Sequence, residues 1–149
     1  MVPIKEFMSS YLELIAATDS VAHAAGRLRA FNLGCLLVRD NDDLVGIITD
    51  RDIAVRVAAK GKDARTTPVS EVMSPGLISC PETQSAEDVA RMMEINQLHR
   101  VALLDAEGRA TGIVSLGDLA RNGYEDLVAR VVIGHARSMY AHAGSPWLR

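Results

Sequence analysis

Apolar positions along this chain fall into two rhythms, helical and strand-like, and the same succession of rhythms occurs twice. Val21, Ala24, Ala25, Leu28 and Phe31 lie at helical spacing, as do Val89, Met92 and Met93, with Asn96 closing the second series. Ser20 and Ser85 stand where N-caps belong, and Asp88, three residues beyond Ser85, makes a capping-box variant. Runs of strand length follow, Cys35-Leu36-Leu37-Val38 and Val101-Ala102-Leu103-Leu104, and each leads into an acidic turn (Asp40–Asp43, Asp105–Gly108). The chain returns through Val45-Gly46-Ile47-Ile48 and Thr111-Gly112-Ile113-Val114, which predicts two hairpins. Each returning strand runs into a helix, Asp52 to Lys60 with Gly61 as its stop, and Asp118 onward. With short strands expected at 12–15 and 77–80, each unit reads β-α-β-β-α.

The two units are copies. Residues 3–54 align with 68–120 at an offset of 65, which becomes 66 after a one-residue insertion between Asp40 and Gly46, where a surface turn tolerates it. The openings correspond (Pro3-Ile4-Lys5-Glu6-Phe7-Met8-Ser9 and Pro68-Val69-Ser70-Glu71-Val72-Met73-Ser74), and so do Gly46–Asp52 and Gly112–Asp118. The organisation expected is therefore repeat 1 over 1–62, a linker at 63–67, repeat 2 over 68–123, and a C-terminal helix and tail over 124–149. The helix, from Tyr124 to Tyr140, carries Leu127, Val128, Val131, Val132 and Met139, and the tail from Gly144 is expected to be loose. One unit of about 55 residues hardly covers its sheet alone. The expected fold is α/β (α+β), two repeats packed sheet to sheet about a pseudo-twofold axis, with two equivalent clefts between them.

Composition narrows the function. The chain has 149 residues, 48% apolar and 23% charged, the balance of an ordinary globular protein. Net charge is −3 and aromatics are 4%, which argues against nucleic acid as partner, because phosphate neutralisation and base stacking both lack residues. No basic-then-apolar leader opens the chain and no apolar run approaches the ~20 residues a membrane span needs, so a cytoplasmic location and no membrane partner are expected. Cys35 and Cys80 sit in apolar surroundings and read as reduced core thiols, with a disulfide or metal site as the less economical reading.

The chemistry concentrates where a strand enters a helix. Gly46-Ile47-Ile48-Thr49-Asp50-Arg51-Asp52 and Gly112-Ile113-Val114-Ser115-Leu116-Gly117-Asp118 share Gly, two aliphatics, Thr or Ser, two variable residues and Asp. Such a junction offers backbone N–H groups and a hydroxyl to phosphate, and an Asp one turn on can accept two ribose hydroxyls. The same Thr/Ser-x-x-Asp is also a capping box in form, worth ~1 kcal/mol to a helix with no ligand at all. A cap can serve both purposes. This pattern resembles the signature of cystathionine-β-synthase (CBS) domains, and two in tandem resemble a Bateman module occupying nearly the whole chain. Leu98-His99-Arg100-Val101-Ala102-Leu103-Leu104-Asp105 likewise resembles the family's His/Arg-led strand, although Leu37 and Ala102 replace a common proline and Cys35 stands where repeat 2 has Arg100.

The resemblance implies a regulatory module, not an enzyme, that binds an adenine nucleotide or adenosyl ligand in the cleft between repeats. AMP, ADP or ATP is the ligand implied, with S-adenosylmethionine or NAD(H) as alternatives, and no cofactor is required. The implied ligand residues are Thr49, Arg51, Asp52, His99, Arg100, Ser115 and Asp118. Thr49, Arg51 and Asp52 would be joined by His99 and Arg100 across the pseudo-twofold, whereas Ser115 and Asp118 would face Gly34 and Cys35, with no cation at the matching positions. A homodimer and a regulated protein partner are further implications. The rival reading is a structural or protein-interaction module with vestigial clefts and no nucleotide. No tight metal-ligand spacing and no nucleophile signature stand out among His23, His99, His135 and His142 or elsewhere, so no catalytic and no metal residues are expected.

Overall fold

The computed structural model describes residues 2–8, 13–75 and 78–142, the side chains of 139–142 excepted. The tail from Gly144 and the side chain of Met139 lie outside the described residues. Two compact units emerge, Leu12–Leu77, and Ile78–Arg149 together with Met1–Tyr11.

The first unit is built on strands β1 (Leu14–Ala16), β2 (Cys35–Asp40), β3 (Asp43–Thr49) and β4 (Ser74–Pro75) in the order β1-β2-β3-β4. β1 and β2 are parallel and the rest antiparallel. A parallel pair needs a crossover, and helix α1 (Val21–Phe31) supplies it, burying Val21, Ala24 and Leu28 while Phe31 stays exposed. The Ser20 side chain accepts the His23 N–H at 3.1 Å, the expected cap. The helix ends at Asn32 in the left-handed region (φ 51), where the Leu33 N–H reaches back to the Leu28 carbonyl at 2.9 Å. Helix α2 (Asp50–Ile53) continues as a π turn over Ala54–Ala58, and Gly61 at φ +63 follows that turn. The helix thus begins two residues before the expected Asp52, because Thr49 is its cap. Helix α3 (Val69–Val72) adds Val69 and Val72 to a core of Ile15, Leu36, Val38, Ile48 and Val57.

The other unit repeats this plan with strands β5 (Ser79–Pro81), β6 (Arg100–Leu104) and β7 (Ala110–Ser115) in that order, β5 parallel and β7 antiparallel to β6. Helix α4 (Ala86–Asn96) is capped by Ser85 on the Asp88 N–H at 3.1 Å and ends at Gln97 with φ 53, the counterpart of Asn32. Helices α5 (Leu116–Arg121) and α6 (Glu125–His142) follow. The core gathers Val89, Met93, Val101, Leu103, Val114, Leu119 and Val131. The extra residue of the second repeat is absorbed in its hairpin turn, where the Asp105 N–H meets the Arg109 carbonyl and Gly108 takes φ 79.

Each repeat's opening box docks on the other repeat. The Ile4 N–H donates to the Gln84 carbonyl at 2.8 Å, and Ile4 is fully buried in the core of Val89 and Met93. Correspondingly the Val69 N–H donates to the Asp19 carbonyl at 2.8 Å and Val69 is buried with Val21 and Leu28. The chain is a mixed α/β protein, with one four-stranded and one three-stranded sheet among the described residues.

Candidate functional site

Both Thr/Ser-x-x-Asp boxes are complete capping boxes. Thr49 Oγ1 accepts the Asp52 N–H at 3.1 Å, and Asp52 Oδ2 accepts the Thr49 N–H at 3.0 Å. Ser115 Oγ accepts the Asp118 N–H at 3.2 Å, while Asp118 Oδ2 accepts both the Ser115 N–H at 2.8 Å and its hydroxyl at 2.7 Å. The box fixes each carboxylate at the end of the sheet, with Oδ1 turned away from the cap. Asp52 is buried and Asp118 half-buried.

The two Oδ1 atoms meet different partners. Asp52 Oδ1 accepts the Ser74 hydroxyl at 3.3 Å and lies 3.5 Å from the Arg56 guanidinium. Asp118 Oδ1 is paired with Arg121 of its own helix. Sequence reading missed Arg56, Ser74 and Arg121. For the arginines a signal existed, since they stand four and three residues past the Asp, on the same helical face. Arg100 is the register partner of Ser115 across β6–β7, as Cys35 is of Thr49. Arg100 and Arg121 lie in the same unit as the Ser115–Asp118 motif.

The N–H groups expected to be available for phosphate are largely met within the protein. Asp50 N–H donates to the Gly34 carbonyl at 3.3 Å, and Arg51 N–H to Asp50 Oδ1 at 2.8 Å. In the other unit the Leu116 N–H donates to the His99 carbonyl at 3.1 Å. The Arg51 side chain is exposed. Hollows of about 270 Å³ (Val2, Pro3, Thr83, Gln84, Ser85, Asp88) and about 240 Å³ (Ala16, Ala17, Thr18, Arg39, Asp40, Asn41) lie away from both motifs.

His99 is further tied to α6. Its Nε2 lies 2.9 Å from His135 Nδ1, the rings are parallel within 6°, and His135 Nε2 faces the Met93 carbonyl at 3.3 Å. Partial burial, His135 and then Arg100 hold the His99 imidazole below its ordinary value. Neither cysteine is in a disulfide, and burial pushes the Cys80 thiol up to about 11. No described helix is long and apolar enough to cross a membrane.

Two copies of one strand–helix junction, each presenting an anchored Asp, define a tandem module, and the family profile agrees: the CBS domain matches residues 4–59 and 69–125. The chain belongs to the CBS domain family. It is 38% identical over 122 residues to the CBS domain-containing protein YhcV of Bacillus subtilis, spanning 82% of this chain and 86% of that one. A CBS domain protein of unknown function from Thermoplasma acidophilum superposes with a TM-score of 0.81 at 26% identity, over 91% of this chain and 76% of that one. Hypoxic Response Protein I, solved with two coordinated zinc ions, superposes with a TM-score of 0.71 at 28% identity, over 80% and 98%. Among the described residues of this chain no group of three or more His, Cys, Asp or Glu could hold a metal ion. A pair of CBS domains is typically a regulatory module.

Proposed function

We propose that this chain is a non-enzymatic regulatory module that binds an adenine nucleotide, or a related adenosyl ligand, with Asp52 and Asp118 as ribose acceptors. The supporting observation is that each capping box holds its carboxylate in one orientation and leaves Oδ1 on partners that a sugar hydroxyl can replace. Thr49 and Ser115 supply hydroxyls at the same junctions. Arg51, His99 and Arg100 supply charge or hydrogen-bond donors for phosphate, where charge-assisted bonds are roughly twice as strong as neutral ones. The module works as a homodimer and passes its ligand state to a protein partner by shifting a packing equilibrium.

The internally satisfied N–H groups favour a second reading, an interaction module with no nucleotide. A thermal-shift panel of AMP, ADP, ATP, NADH, S-adenosylmethionine and GTP separates the two. A ligand at 100 times its Kd stabilises by about 2.7 kcal/mol, so at least one adenosyl compound raises the melting temperature. A flat response across the panel at millimolar concentration supports the interaction module instead.

A further inference from the structure

Among the described residues, the partners of the Asp52 carboxylate come from two places in the chain. Arg56 stands on the π turn, one helical turn past Asp52. Its Nη1 donates to the Val72 carbonyl at 2.9 Å, the Met73 carbonyl at 3.1 Å and Ser74 Oγ at 3.4 Å, while also lying 3.5 Å from Asp52 Oδ1. Ser74 Oγ donates to the same Oδ1. One carboxylate oxygen and one guanidinium nitrogen therefore join the ribose acceptor to residues 72–74, the end of α3 and the start of β4. In the other repeat the position matching Arg56 is Asn122, whose Nδ2 donates to the Asp118 main-chain carbonyl at 2.7 Å. Among the described residues, every side-chain partner of the Asp118 carboxylate lies between Ser115 and Arg121.

We infer that Arg56 and Ser74 form a latch on Asp52 that a ribose must open, so that occupancy of this one site is transmitted to residues 72–75. The inference rests on the nucleotide reading above. A carboxylate oxygen has about two acceptor positions, and both on Oδ1 face groups of the protein. Oδ2 already holds the Thr49 N–H. A ribose diol that engages both oxygens displaces Ser74, Arg56 or both from Oδ1. The segment so released is weakly held, because among the described residues β4 has two residues, paired with Gly46 and Ile47. Arg56 is a positioning residue in this scheme, holding the carboxylate and the segment in register. Ser74 is the competitor for the ligand's place.

Calorimetric titration with AMP, ADP and ATP, paired with amide hydrogen exchange at residues 69–75, tests this on the full chain. The expected result is binding that Asp52→Ala weakens, faster exchange at 72–75 when ligand is bound, and about three- to tenfold tighter binding in Ser74→Ala, the span of one net hydrogen bond. Arg56→Gln, whose folding is checked by its melting curve, raises exchange at 72–75 without ligand, and Arg121→Gln leaves that segment unchanged. Asp52-dependent binding with unaltered exchange at 72–75 and no tightening in Ser74→Ala overturns the latch while leaving the nucleotide reading standing. Absence of binding by all three nucleotides removes that reading, and the latch with it.

Discussion

Gly46 illustrates what a single residue contributes. It opens the motif Gly46-Ile47-Ile48-Thr49, yet the reason for glycine is steric and lies on another strand. A Cβ at this position would sit 2.6 Å from the Ser74 carbonyl oxygen and 3.1 Å from Met73 Sδ. Backbone oxygen cannot move aside without parting β3 from β4. Gly46→Ala is therefore expected to destabilise the protein by ~1–3 kcal/mol, read as a lowered denaturant midpoint; an unchanged midpoint would show that β4 yields freely. The motif itself was legible, since Thr49, Ser115, Asp52 and Asp118 cap helices through local bonds three residues long. Ser74 was not legible as a partner of Asp52, because twenty-two residues separate them and no local pattern encodes that contact.

At the scale of elements, the caps that begin α1 and α4 followed from serine chemistry, while the left-handed residues that end them did not. Asn32 and Gln97 occupy the same place in the two repeats, but a lone Asn or Gln signals a helix end far more weakly than glycine does. The C-terminal helix was expected from its apolar spacing, and Val131 is buried as that spacing requires. What spacing could not disclose is His135 against His99, a contact between α6 and the residue just ahead of β6. This contact carries a pH prediction. The folded protein holds the His99 imidazole below its ordinary value of 6.5, so the unfolded chain takes up the proton more readily. The stability from this group is complete above about pH 6.5 and is lost as pH falls through the lower folded value. Melting temperatures of the native chain and His99→Gln from pH 8 to pH 5 should converge on acidification, the native chain losing more. Parallel curves would contradict the assignment.

At the scale of the whole molecule, the duplication was visible because it leaves self-similarity, and the two-sheet plan followed from it. The exchange of opening boxes was not visible, since Pro3-Ile4 and Pro68-Val69 are equally apolar whichever core receives them. Because of the exchange, Ile4 belongs to the core of the second repeat. Exposed apolar side chains also bear on assembly. Val132 and Ile133 on α6 are half exposed and Ile95 on α4 is 73% exposed. Closed twofold pairing is the commonest way for a soluble chain to cover such residues. Light scattering at tens of micromolar should report twice the chain mass of 16.1 kDa, and a particle of the single-chain mass would remove the homodimer from the account.

The central claim is that the two anchored aspartates are ribose acceptors rather than helix caps alone. Calorimetric titration with ATP of the native chain and of the double variant Asp52→Ala/Asp118→Ala addresses it most directly, with the helical content of both checked by circular dichroism. The account predicts saturable binding by the native chain and none by a folded double variant. Equal affinity in the two proteins, or no heat in the native chain with ATP, AMP or ADP, would contradict it.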